Sequence, residues 1–258
     1  MIYIKTDAEV ELLRESALLV SKTLAEVAKM ILPGVTTLQL DRRAEEYIRD
    51  NGAVPAFLGY AGFPNTLCTS VNEMVVHGIP NNVPLQEGDI VSLDCGVLMN
   101  GFYGDSAYTF AVGEISEKVK ELLNTTKESL SLGIKEARNG ERLGNVGNAI
   151  QNHCQAKGFS VVREMVGHGV GKNLHEEPNV PNYGKRGSGV MLKKGMVLAI
   201  EPMINMGRKE IVADPDGWNC RARDRKPSAH FEKMVAIGEV DPIVLTSFDV
   251  IEEALSCK

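Results

Sequence analysis

The strongest constraint on what this chain can fold into is that its helix punctuation occurs twice. Thr6-Asp7-Ala8-Glu9 has the form of a capping box, and apolar residues at 10, 12, 13, 17, 20, 24, 27, 28 and 31 follow at helical spacing until Pro33-Gly34. Thr36-Thr37-Leu38-Gln39 repeats the box and opens a shorter helix to about Asp50, stopped by Asn51-Gly52. A long amphipathic stretch from Ser116 to about Arg138 then ends at Asn139-Gly140, and a shorter one over about 143–157 ends at Gly158. Gly34 and Gly140 stand 106 positions apart, and so do Gly52 and Gly158. With 25 glycines one such match could be chance, but the helix lengths match too. The pattern predicts an internal duplication: long helix, short helix, strands, twice.

Strand-rich sequence follows each helix pair. Asp89–Leu98 and Phe102–Val112 flank Asn100-Gly101, a strong hairpin dipeptide. Met196–Ile200 and His230–Ile237 read as strands in the second half, with a longer hairpin expected in the polar stretch 205–229. No linker divides the chain, so the expectation is one α+β domain over 1–258, made of two similar halves of about 1–112 and 113–258. Hydrophobic residues at 43% and charged residues at 24% exclude a disordered or fibrous chain. A net charge of −6 argues against DNA binding. No apolar run reaches the roughly 20 residues of a membrane helix, and no basic-then-apolar start suggests secretion. The five cysteines (68, 95, 154, 220 and 257) form no CxxC pair, which fits a reducing cytoplasm better than disulfides or a structural zinc site.

The chemistry begins at the hairpin. A two-residue Asn100-Gly101 turn sets Asp94 opposite Ala107. Asp105, two residues along, shares a face with Asp94 as a diagonal neighbour at about 7–8 Å. Such carboxylates raise one another's pKa unless a cation lies between them. Alone, the pair reads more readily as two aspartates on a wet surface. The second half supplies two more acids. Glu201 closes the apolar run Val197–Ile200, with Pro202 blocking its continuation. Glu232 lies in Ser228–Ala236, read as one alternating strand in which 230, 232 and 234 share a face. If the halves face each other across a pseudo-twofold axis, four carboxylates converge, and two divalent cations would neutralise them. His168 and His175, in a glycine-rich loop, offer imidazole donors; His77, before Gly78, is a weaker signal. Oxygen-rich donors with one or two imidazoles and no thiolate suit Mn²⁺, Fe²⁺, Co²⁺ or Zn²⁺. Paired cations of this kind permit amide or ester hydrolysis.

Taken together, these motifs resemble the methionine aminopeptidases, specifically the short bacterial type I enzymes. The segments carrying the resemblance are Cys68–Glu73 into His77-Gly78-Ile79-Pro80, Asp94 through Asp105, Val166–Gly171 through His175–Pro178, Ile200–Met203, and Ser228 through Glu232. They span nearly the whole chain in order. The resemblance implies the pita-bread fold with its pseudo-twofold duplication, and removal of N-terminal methionine from nascent polypeptides with a small second residue. It implies a two-metal site: Asp94 chelating one ion, Asp105 and Glu232 bridging both, and His168 and Glu201 completing the other. Glu201 would also serve as general base, His175 would stabilise the scissile carbonyl, and His77 would contact the amide on the leaving side. Tyr60, Phe63, Cys68, Leu174 and Trp218 match the methionine pocket, although pattern alone reads them as plain core. Phe57, Phe63, Leu174 and His230 depart from the better-known bacterial pattern, and bear on pocket shape rather than reaction.

Prolidase-like relatives and aminopeptidase P carry an extra N-terminal domain, and type II enzymes a helical insertion, neither of which fits here. Relatives that became binding modules lost the ligand positions, which are all present. A monomer is expected. Arg221, Arg223, Arg225 and Lys226 form a small basic cluster that could meet the ribosome surface, though a solvated hairpin face is the simpler reading.

Overall fold

The computed structural model describes residues 1–256. Its helices begin and end as the local chemistry dictates. In α1 (Asp7–Ala28) the Thr6 hydroxyl accepts the Glu9 N–H at 3.3 Å while the Glu9 carboxylate accepts the Thr6 N–H at 3.0 Å. Thr36 and Gln39 make the same reciprocal pair at the start of α2 (Thr37–Asp50). The second pair is α3 (Glu117–Glu136) and α4 (Leu143–Ala156). Gly34, Gly52, Gly140 and Gly158 all have positive φ, a conformation that ends a helix cheaply only at glycine.

The strands of the first half are β1 (Val54–Pro55), β2 (Leu67–Val71), β3 (Met74–Val76), β4 (Ile90–Met99) and β5 (Phe102–Ala111). Those of the second are β6 (Ser160–Val161), β7 (Gly167–Gly169), β8 (Glu176–Val180), β9 (Val197–Ile200), β10 (Met203–Asn205), β11 (Ile211–Ala213), β12 (Cys220–Ala222), β13 (Ser228–His230), β14 (Lys233–Ile237) and β15 (Pro242–Val244). β4 lies between β5 and β2 in one sheet. The main sheet of the second half runs β15-β14-β9-β7-β8. The hairpin has the predicted register, Asp94 opposite Ala107 and Gly96 opposite Asp105. The longer hairpin expected in 205–229 is β11–β12, and β12 crosses over to pair with β3 of the first half.

One apolar core runs through both halves, with Leu24, Leu93 and Phe110 continuous with Leu130, Ile150, Leu198 and Phe231. The arrangement is the mixed helix-and-sheet, α+β architecture expected, with a helix pair and strands in each half. A final helix, α5 (Asp249–Ser256), was not anticipated; it follows a turn in which the Ser247 N–H donates to Ser21 of α1.

One strand expectation is corrected. His230–Ile237 is not continuous, so 230, 232 and 234 do not alternate along one ladder. β13 pairs with β10 and β14 pairs with β9, and the break at Phe231-Glu232 lies opposite Glu201-Pro202. Pro202 has no N–H to give, so the ladder parts on both strands there. The Phe231 N–H still donates to the Pro202 carbonyl at 3.4 Å, while the Glu232 N–H, on the opposite edge, donates to the Ala107 carbonyl of the first half at 2.9 Å. The gap between the sheets opens at this point.

Cys68, Cys95, Cys154 and Cys220 are buried free thiols, and Cys257 lies outside the described residues. Among the described residues, no helix is long and apolar enough to cross a membrane.

Candidate active site

Where the two halves meet lies a cavity of about 560 Å³. Every residue expected in a metal, catalytic or pocket role lines it: Asp94, Asp105, His168, Glu201 and Glu232; His77 and His175; Tyr60, Phe63, Cys68, Leu174 and Trp218. Asp94 sits mid-way along β4 beside Cys68 of β2, and Asp105 lies on β5. His168 lies on β7, paired with Ala199 of β9. Its neighbour Gly167 has no room for a methyl group, which would collide with the Ala199 carbonyl, so glycine is what lets β7 press against β9.

Donor atoms of Asp105, His168 and Glu232 lie within 4.8 Å of one another, and all three residues are buried. His168 Nε2 stands 3.7 Å from Asp105 Oδ2 and 3.6 Å from Glu201 Oε1. The carbonyl of Gly169 can only accept, so the 2.8 Å bond it shares with His168 Nδ1 puts the proton there. That leaves the Nε2 lone pair facing the carboxylates, the orientation of a metal-binding imidazole. Buried Asp94 Oδ1, Asp105 Oδ1 and Glu232 Oε1 have no hydrogen-bond partner among the described residues. Such oxygens are costly unless something cationic meets them. The donor set therefore fits divalent cations.

Electrostatics point the same way. Burial pushes the Asp94 carboxyl up to about 7 and Glu201 up to about 8. Asp105 and Glu232 are raised well above the carboxylate range, by burial first and then by neighbouring negative charge. Burial lowers His168 and His77 to about 4. These shifts predict the stability of the cation-free chain. A carboxyl with a raised pKa holds protons more tightly when folded, so its contribution is greatest at low pH and is lost as pH rises through the folded value. The imidazoles act oppositely, but only below their ordinary 6.5. Between about pH 6.5 and 8 the carboxyls dominate. In chelator, Tm should fall across that window, and excess Mn²⁺ should remove the fall. A Tm that climbs there without metal would contradict the assignment.

The other side of the cavity is apolar. Phe57, Phe63, Cys68 and Leu174 form a small buried cluster, with Trp218 edge-on to Phe63 at 5.1 Å between ring centroids. The buried carboxylate of Asp41 on α2 accepts the Thr66 and Leu67 N–H groups at 2.9 and 2.8 Å, which anchors the start of β2 beneath this wall. His175 accepts or donates a 2.7 Å bond between Nδ1 and the Tyr60 hydroxyl, and its ring lies 4.3 Å from that of His168. His77 holds a positive φ of 59° and faces Trp218 at 6.3 Å.

Sequence reading missed several contributors. Met203, Val76 and Tyr3 also line the cavity. Asn182 Nδ2 donates to the Glu201 carbonyl at 2.9 Å. Nothing in their local pattern separates them from ordinary core or loop residues. His230 is buried, with Nε2 3.5 Å from Glu201 Oε2 and no hydrogen bond from that atom among the described residues. In the basic cluster, Arg221 is engaged by Glu73 and Asp214, and Arg225 by Glu73.

A metal-type donor set at the seam between the two halves permits metal-dependent hydrolysis. The model for metallopeptidase family M24 matches residues 11–239, and the chain belongs to that family. A curated methionine aminopeptidase of Clostridium perfringens is 48% identical over 246 residues, 95% of this chain and 99% of that one. The crystal structure of methionine aminopeptidase from Rickettsia prowazekii superposes with a TM-score of 0.95 at 38% identity, covering 96% of this chain and all of that one. Prolidase from Pyrococcus furiosus, at 24% identity and a TM-score of 0.76, shares the fold, and the match spans 65% of its length. Within the family, the chain stands with the bacterial methionine aminopeptidases.

Proposed function

We propose that the chain hydrolyses the peptide bond after an N-terminal methionine, at a site holding two divalent cations. The observation that carries this reading is one cavity with five metal-type donors on one side and an apolar wall on the other. Asp94 would hold one cation, Asp105 and Glu232 both, and His168 and Glu201 the other. Cobalt, manganese, iron(II) and zinc all suit this donor set. Bound cations supply Lewis-acid polarisation and a nucleophile usable at neutral pH.

The chain's own groups do the rest. Glu201, raised to about 8 by burial, is suited to take up and pass on a proton near neutral pH. Partial desolvation lowers the His175 pKa, which favours the neutral imidazole. With the Tyr60 hydroxyl donating to Nδ1, the Nε2–H of His175 is free to donate to the scissile carbonyl oxygen. His77, also neutral, would meet the amide on the leaving side. Phe63, Cys68, Leu174 and Trp218 enclose the unbranched thioether chain, with Tyr60 at the rim. The resemblance to the methionine aminopeptidases carries with it a preference for a small second residue. In this reading the chain is a single cytoplasmic catalytic domain of two halves, monomeric, acting on nascent polypeptides. Arg223 and Lys226 remain exposed as a small basic surface that could face the ribosome.

Purified chain loaded with each metal in turn should cleave Met-Ala and Met-Gly peptides, and Leu-Ala peptides poorly. Norleucine should be discriminated only modestly, since one group of methylene size is worth about 1–3 kcal/mol in a pocket. Equal rates on methionyl and leucyl termini would refute the pocket assignment.

A further inference from the structure

At the edge of the cavity, which Glu176 helps to line, lies a buried ion pair that none of the steps above uses. Lys5 Nζ stands 2.6 Å from Glu176 Oε2, and the two side chains are 5% and 3% exposed. The Lys5 backbone is itself fastened, its N–H donating to the Gly195 carbonyl at 2.7 Å. The other oxygen of Glu176 accepts the Asn173 N–H at 3.2 Å. This closes residues 173–176 into a tight loop whose two inner residues are Leu174 and His175, one in the methionine wall and one beside His168. The pair has no slack. A methyl group at Gly171 would stand 2.6 Å from Glu176 Oε1 and 2.7 Å from Lys5 Cε. The Tyr60 hydroxyl holds the imidazole of His175 from the cavity side, and the Lys5–Glu176 pair holds its main chain from behind.

We infer that Lys5 is a positioning residue for this hydrolysis: through Glu176 it fixes the Asn173–Glu176 loop, and with it the reach of His175 toward the substrate carbonyl. The inference rests on the reading of His175 as the group that binds that carbonyl. A hydrogen-bond donor is effective only where the oxyanion forms, and a displacement of about 1 Å can cost ~10²-fold in rate. None of the proposed cation ligands lies within residues 173–176, so the expected effect of the pair is on turnover rather than on cation affinity.

The test uses the full chain. Lys5→Met alone leaves the buried Glu176 charge without its partner and endangers folding. The neutral pair Lys5→Met/Glu176→Gln removes both charges and is the informative variant. Its kcat on a Met-Ala peptide should fall by about 10²-fold, with Tm near wild type and Mn²⁺ affinity by calorimetry unchanged. Built onto His175→Ala, the same pair should cause no further fall, because the positioned group is gone. Wild-type kcat in the neutral pair overturns the inference, as does a full multiplicative loss on the His175→Ala background or a parallel loss of Mn²⁺ affinity. Wild-type kcat in His175→Ala itself would instead remove the reading of His175, whatever the pair does.

Discussion

Replacing Asp105 by alanine is expected to abolish tight binding of at least one cation and to lower kcat by about 10³-fold or more, the scale of several kcal/mol of lost metal assistance. Asp105 is the strongest case because it faces both halves of the site. It lies in the same sheet as Asp94, whose negative charge helps raise its pKa, and 3.7 Å from His168 of the other half. Its Oδ1 is buried and unpartnered among the described residues, so no protein group compensates for its removal. Chelation should silence the wild-type chain in the same assay, and added divalent metal should restore it. Calorimetric titration would report the lost binding step directly. Full activity of the variant in metal-buffered solution would sink the two-metal assignment.

The two imidazoles should separate cleanly. His175→Ala should lower kcat by about 10²–10³-fold, the usual worth of an oxyanion donor, with little change in KM and both cations retained. His168→Ala should weaken cation binding itself, and excess metal should partly rescue its activity. Geometry underlies the difference. His168 turns its free Nε2 to Asp105 and Glu201, whereas His175 is bonded to the Tyr60 hydroxyl at the rim. Calorimetry beside steady-state kinetics on both variants decides the matter: equal loss of metal in the two would make residue 175 a ligand and the proposed division of roles wrong.

Much of this was legible in the residues alone, for reasons that differ between elements. The capping boxes at Thr6 and Thr36 and the Asn100-Gly101 turn act over a few positions, so local sequence is sufficient to specify them. The site residues were legible in another way. Spacing alone left Asp94 and Asp105 more readily a wet surface than a metal site, and left the pocket residues as plain core. Their roles came from resemblance to a family.

The break at Phe231-Glu232 was not legible. An alternating run ordinarily makes one strand, and what divides this one is Pro202 on the neighbouring strand, which no local pattern can register. The supports at Asn182 and Lys5 were hidden for the same reason, since each acts on a partner remote in the chain.

The sequence by itself therefore determined the duplicated helix pairs and the hairpin register, because these follow from contacts between near neighbours, while the candidate donors were assigned their roles by resemblance. The tertiary structure decided that the donors meet. Asp94 and Asp105 come from one sheet, His168, Glu201 and Glu232 from the turns and strands of another, and packing across a shared core brings them together. Burial at that seam then raises the carboxyl pKa values and strips the oxygens of partners, and desolvation of this kind exists only once the two halves have closed on each other.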